Sequence, residues 1–166
     1  MELSFTIAGD DDVAAVAVLR AAVAADLTRR YGHGHWSAVA TEKSVLRDIR
    51  TSQVLLAYAG TRTVGTLRLA TKKPWAIDPK YFSPRPKVLY LTDMAVDPSL
   101  QRHGIGRRCL HQAGRMAAEW PADAIRLDAY DGEAGAGDFY RKCGFHERGR
   151  ITYRRTPLVY YEMLLK

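Results

Sequence analysis

Residues 94–108 read Met94-Ala95-Val96-Asp97-Pro98-Ser99-Leu100-Gln101-Arg102-His103-Gly104-Ile105-Gly106-Arg107-Arg108. The apolar run Val88 to Val96 has strand character, Val96-Asp97-Pro98 closes it, and Gln101 to Gly106 makes a glycine-containing loop. A helix is expected from Arg107 to Trp120, with Cys109, Ala113, Met116 and Trp120 on one face and Pro121 just past its end. A loop between strand and helix gathers backbone N–H groups at the positive end of the helix dipole, an arrangement suited to a pyrophosphate. Gly104 and Gly106 permit the tight turn and leave the ligand unobstructed, and Arg102, Arg107 and Arg108 add positive charge. A Walker loop is excluded, because Arg107-Arg108 follow Gly106 where Lys-Ser/Thr would be needed. A dinucleotide fingerprint is excluded too, because Cys109 stands where its third glycine belongs.

Upstream, Leu3 to Ile7 alternates like a short strand, and Asp10 to Asp12 offer cap carboxylates to a helix reaching Leu27. Its apolar stripe is Val13, Val16, Leu19, Val23 and Leu27. A second helix is expected over Thr41 to Thr51. Gln53 to Ala59 and Arg62 to Thr71 form a hairpin about Gly60-Thr61. Downstream, Ile125 to Tyr130 is a strand, Asp138 to Cys143 a short helix stopped by Gly144, and Phe145 to Arg148 and Leu158 to Leu165 two final strands. Interleaved strands and helices indicate an α/β or α+β domain, one domain over residues 1–166, around a mixed sheet. Residues 72–87 break every pattern. Four prolines accompany Trp75, Tyr81 and Phe82 there, either as a lid or wall over a substrate or as an excursion pinned by its own aromatics.

The 166 residues carry 25 Lys and Arg against 18 Asp and Glu, a net charge of +7 that implies an anionic ligand or surface. The longest apolar stretch, Val13 to Leu19, is too short for a bilayer, and it follows three aspartates rather than a positive leader. Two cysteines make neither a disulfide framework nor a zinc site, so a cytoplasmic setting is expected. His33-Gly34-His35-Trp36 brings two histidines together with no cysteine or carboxylate beside them, and no metal is expected.

Two segments in register then resemble the GNAT superfamily of acyl-CoA-dependent N-acyltransferases. Gln101-x-x-Gly104-x-Gly106 after Met94-Ala95-Val96 is similar to that family's pyrophosphate loop, and Tyr140-x-x-x-Gly144-Phe145 to its tyrosine segment. The resemblance implies a largely antiparallel mixed sheet flanked by helices, splayed to admit the pantetheine arm of acetyl-CoA. By position, the backbone of Met94, Ala95 and Val96 would meet that arm. Gln101, Arg102, His103, Gly104, Ile105, Gly106 and Arg107 would wrap the pyrophosphate. Tyr140 would act as general acid toward the sulfur. Glu133 stands where the family has an asparagine that contacts the cofactor, and a carboxylate cannot make the amide's donor contact.

The implied reaction is attack of a primary amine on the thioester carbonyl within a ternary complex. Asp93, on the strand before the cofactor segment, is the candidate base, with Asp128 and Glu133 behind it. Cys143 reads as core packing rather than an acyl carrier. The basic cluster Arg141, Lys142, Arg148, Arg150, Arg154 and Arg155 reads as a solvated face, or as help for the 3′-phosphate. The alternative is a basic module that binds nucleic acid or protein without catalysis, although no nucleic-acid motif is present. The apolar last strand offers an edge for a homodimer.

Overall fold

The computed structural model describes residues 1–165. Strand β1 (Ser4–Ile7) leads into a 3₁₀ turn at Asp10–Asp12, where Asp12 Oδ2 accepts from Gly9 N at 2.8 Å. Helix α1 (Val13–Tyr31) runs past the expected Leu27 and ends at Gly32, whose φ of +82° only glycine adopts easily. Helix α2 (Glu42–Thr51) starts at Thr41, whose hydroxyl accepts from Ser44 N at 3.1 Å. Strands β2 (Gln53–Ala59) and β3 (Arg62–Ala70) form the expected hairpin.

Then follow β4 (Val88–Val96), α3 (Ile105–Glu119), β5 (Ala124–Tyr130), α4 (Gly137–Lys142), β6 (His146–Tyr153) and β7 (Thr156–Leu164). Hydrogen bonding orders the sheet β1-β2-β3-β4-β5-β7-β6, so the expected mixed, largely antiparallel sheet with flanking helices is present. The β4–β5 pair is parallel, and its register covers only Val88–Tyr90 against Ala124–Arg126, although β4 continues to Val96 and β5 to Tyr130.

The chain forms two compact units. Residues 1–70 and 92–113 make the first, and residues 71–91 and 114 onward make the second. In the first, Val16 of α1, Val45 of α2 and Val54 and Leu56 of β2 pack together with Ala8, which joins both helices to one sheet face. Gly65 lets α3 approach β3. A Cβ there would lie 3.0 Å from Cys109 Sγ and 3.3 Å from Ile105 Cγ2.

In the second unit, Ile77, Phe82, Tyr90 and Tyr160 form a core with Val88 and Ile151 around them. This core settles how residues 72–87 are held. The loop is pinned, partly by its own Phe82 and Tyr81 and partly by Tyr160, whose hydroxyl donates to Ala76 O and accepts from Asp78 N. Trp75 alone among the loop's aromatics stands well out, 84% exposed.

Glu162 adds a polar clamp to the same loop. It is fully buried, accepting from Arg126 Nε at 2.8 Å, Arg148 Nε at 3.0 Å and Ser83 Oγ at 3.2 Å. Arg126 also donates to Ser83 O at 2.6 Å and stacks 4.6 Å from the Phe82 ring centre.

Three expectations need correction. Helix α3 begins at Ile105 rather than Arg107, and it buries Ala117 while Trp120 stays exposed. Strand β6 extends to Tyr153, because Arg154 and Arg155 make the hairpin turn at φ of +47° and +68° without the usual asparagine or glycine. The last strand offers no edge for a dimer, since β7 is hydrogen-bonded along both sides, to β5 and β6.

Candidate active site

In the first unit, strand β4 runs through a turn into α3, and the turn is built by Asp97. Its Oδ1 accepts from Ser99 N at 2.9 Å and Ser99 Oγ at 2.8 Å, and its Oδ2 from Arg62 Nη2 at 2.6 Å. Burial alone would raise the Asp97 carboxyl, but these bonds from Ser99 and Arg62 outweigh it and hold the group below its usual range. Asp97 N also donates to Val64 O at 2.9 Å, which fastens the turn to β3.

Gln101, Arg102, His103 and Gly104 follow, all exposed, with Arg102 and Gly104 at φ of +68° and +78°. His103 Nδ1 lies 3.0 Å from Leu100 O and 3.1 Å from Gln101 O. Carbonyls only accept, so Nδ1 carries the proton and the exposed His103 ties the loop together.

The first helical bond of α3 runs from Arg108 N to Gly104 O at 3.1 Å, which leaves the N–H groups of Ile105, Gly106 and Arg107 without helical acceptors. A Cβ on Gly104 would meet nothing within 4 Å, so the loop is uncrowded at that position. Three unengaged amides, a helix N-terminus and the arginines at 102 and 107 fit a polyphosphate. Met94, Ala95 and Val96 lie on the strand that feeds this turn, with Ala95 buried.

Asp93 precedes them at φ +53°, the left-handed region that non-glycine residues seldom occupy inside a strand. Its side chain is 42% exposed, and its Oδ2 lies 3.9 Å from Arg20 Nη2. Arg20 was not anticipated as part of this group. The one hint in the sequence is an arginine four residues after Val16, within the buried stripe of α1.

The second unit holds the tyrosine. Tyr140 sits on α4, buried, with ring centres of Phe139 at 5.4 Å, Phe145 at 5.7 Å and Tyr161 at 6.1 Å. Burial first, then the charges of Asp128 and Cys143, push its phenol well above the ordinary range, so it keeps its proton at any physiological pH. Asp128, on β5, is itself raised by burial.

Helix α4 starts at Gly137, one residue before the expected Asp138, and cannot start sooner because the chain before it comes too close to itself. A Cβ on Gly135 would lie 1.8 Å from Tyr130 O, a position only glycine can fill. Glu133 is exposed in the connection ahead of α4. Much of the basic cluster is internally paired. Arg141 meets Asp138 and Glu147, Arg150 meets Asp131 and Glu147, and Arg148 meets Glu162.

The strand–turn–helix and the tyrosine segment both fall within residues 20–145, which match the acetyltransferase (GNAT) family. The chain belongs to that family. No curated protein matches it. Among solved structures it is similar to an N-acetyltransferase from Staphylococcus aureus Mu50, at 15% identity and TM-score 0.73, with 100% of each chain covered. It is also similar to yncA from Salmonella typhimurium, determined with its cofactor acetyl-CoA, at 15% identity and TM-score 0.72, over 99% of this chain and 94% of that one. A ribosomal-protein-alanine N-acetyltransferase from Brucella melitensis gives 17% identity and TM-score 0.73, over 97% and 99% of the two chains. At these identities the likeness is one of fold. Among the described residues of this GNAT protein, no helix is long and apolar enough to cross a membrane.

Proposed function

We propose that the protein transfers the acetyl group of acetyl-CoA to a primary amine by direct attack in a ternary complex. The observation that carries this reading is the turn into α3, where the backbone amides of Ile105, Gly106 and Arg107 lack helical acceptors next to an uncrowded Gly104. Ile105, Gly106 and Arg107 would hold the pyrophosphate through those amides, with Gln101, Arg102 and His103 shaping the loop. The backbone of Met94, Ala95 and Val96 would receive the pantetheine arm. Bound there, acetyl-CoA supplies an activated thioester.

The chain's own groups manage the protons. Asp93 takes a proton from the acceptor ammonium, which frees the nitrogen lone pair to form the new C–N bond. Tyr140, held protonated by burial, gives its phenolic proton to sulfur as the C–S bond breaks; the second proton, shed by the nitrogen as the amide forms, restores the phenol through solvent, and Asp93 releases the first one to solvent. Glu133 supplies no amide donor, so less of the donor's affinity comes from that connection than in relatives with asparagine there.

The test is calorimetric titration with acetyl-CoA, followed by thiol release against a panel of small amines and peptides. Micromolar binding with release on one amine class is the expected result. Absence of binding refutes the reading. Binding of DNA or RNA that falls steeply with salt, without thiol release, would replace it with the non-catalytic alternative.

A further inference from the structure

We propose that Arg20 is the positioning residue for Asp93, and that the pair forms the acceptor-facing end of a buried charge network. The inference rests on the acetyl-transfer reading, since it concerns the group that receives the amine's proton. The starting observation is an arginine where packing alone would call for leucine. Arg20 lies on α1 among buried Val16, Leu19 and Ala24, with 8% of its side chain exposed. Its Nη1 donates to Asp48 Oδ2 at 2.9 Å. Its Nε and Nη2 are buried and have no hydrogen-bond partner among the described residues. Donors left in that state are costly and call for an explanation.

The surroundings supply one. Arg68 of β3 places Nε 3.6 Å from Asp48 Oδ1 and donates to Ser52 Oγ at 2.7 Å, so Asp48 is already served by two guanidinium groups. Asp93 brings the second carboxylate, and the four charges sum to zero. Arg20, Asp48 and Arg68 are 8%, 18% and 21% exposed, whereas Asp93 is 42% exposed. Asp93 is therefore the member of this quartet that an incoming ammonium meets.

Its left-handed φ of +53° is a strained state, and such states persist only where the surrounding structure maintains them. That backbone state aims the Asp93 carboxylate toward α1, where Arg20 Nη2 lies 3.9 Å from Oδ2 with no hydrogen bond of its own. A small inward movement of the carboxylate completes that bond, fixes Oδ2 and leaves Oδ1 for the acceptor's N–H. An arginine suits this task because its planar fork can serve Asp48 and Asp93 at once, which a lysine ammonium cannot do with the same geometry.

The experiment is a double-mutant cycle on the full chain, with Arg20→Gln, Asp93→Asn and both together, read by kcat and KM for acetyl-CoA and for the best amine. Misplacement of a reacting group can cost on the order of a hundredfold. Arg20→Gln is expected to lower kcat at least tenfold with KM for acetyl-CoA unchanged. In the Asp93→Asn background the same change should cost less than about twofold, because nothing remains to position. Arg20→Lys should recover part of the rate, and it carries the same cycle if Arg20→Gln does not fold.

Equal losses from Arg20→Gln in both backgrounds would overturn the proposal, since a merely structural arginine gives that result. Full activity in Asp93→Asn overturns it as well while leaving acetyl transfer intact. Absence of thiol release in the unmodified protein refutes the transfer reading and removes this inference with it.

Discussion

Replacing Tyr140 with phenylalanine removes one oxygen and leaves the rest of the side chain where it is. The ring keeps its neighbours Phe139, Phe145 and Tyr161, so no cavity opens, and the stability cost is limited to one hydroxyl's interactions, about 1 kcal/mol. The catalytic cost should be larger. A well-placed general acid contributes ~10²–10⁴-fold, equal to about 3–5 kcal/mol of transition-state stabilisation. Steady-state thiol release at saturating amine should therefore fall at least a hundredfold, with acetyl-CoA affinity by calorimetry within about twofold of the unmodified protein.

The ionisation of this phenol adds a sign that can be checked. Burial raises the folded-state pKa above the ordinary 10.0, so the folded protein holds the proton where the unfolded chain releases it. The resulting stability is fully present below pH 10 and is lost as pH climbs from there toward the folded-state value. The phenylalanine variant should lose that alkaline slope. A variant with kcat within about threefold of the parent would refute the acid assignment.

Gly104→Val should raise the Kd for acetyl-CoA at least about tenfold, because a β-branched residue is strained at φ +78° and would distort the turn that presents the α3 amides; unchanged affinity in calorimetry would place the phosphate elsewhere. Glu162→Gln strands two arginines, one buried and one 30% exposed and able to rehydrate, so the cost should sit near the lower end of the 3–5 kcal/mol range. That corresponds to a Tm decrease of about 6–12 °C by calorimetry, and a shift below about 2 °C would contradict the clamp. Cys109 is fully buried and its thiol is pushed up to about 11 by burial, so at pH 8 iodoacetamide should modify Cys143 first, as read by mass spectrometry of the native protein. The proton that Cys109 retains contributes stability below pH 9.0, which is lost as pH rises through about 11.

The sequence was most legible where local chemistry acts alone. The β2–β3 hairpin about Gly60-Thr61, helix α2 and the strand–turn–helix at 94–108 follow from a turn between two strand-like runs, the shared face of Val45, Leu46 and Ile49, and two glycines. Reading failed where the local rule is broken. Arg154-Arg155 carries no signal for a two-residue turn, so β6 was cut short at Arg148, and the turn exists because the long β6–β7 pairing imposes it. The sequence sets the start of α3 two residues late because Gly106 reads as loop, although Gly104 O already accepts the first helical bond. The apolar run Leu158 to Leu165 marks β7 as a strand without showing that it lies between β5 and β6, since pairing partners are set by topology.

The largest gap concerns charged residues inside apolar elements, and it has a single cause. Arg20, Arg126 and Glu162 are all buried, and each reads locally as an interruption of a hydrophobic stripe or strand. Each is tolerated only because a partner arrives from far along the chain. Arg20 meets Asp48 at a separation of 28 residues, and Arg126 meets Glu162 at 36. No window a helix or strand long can contain both members, so periodicity sees a defect where the fold has an ion pair. The two networks also differ in a way that bears on function. Around Glu162 every acceptor is engaged and a loop is held still, which is the signature of a structural clamp. Around Arg20 two donors stay open next to a strained, half-exposed aspartate, so this network, unlike the clamp, has hydrogen-bonding capacity left for a movement of that aspartate to use.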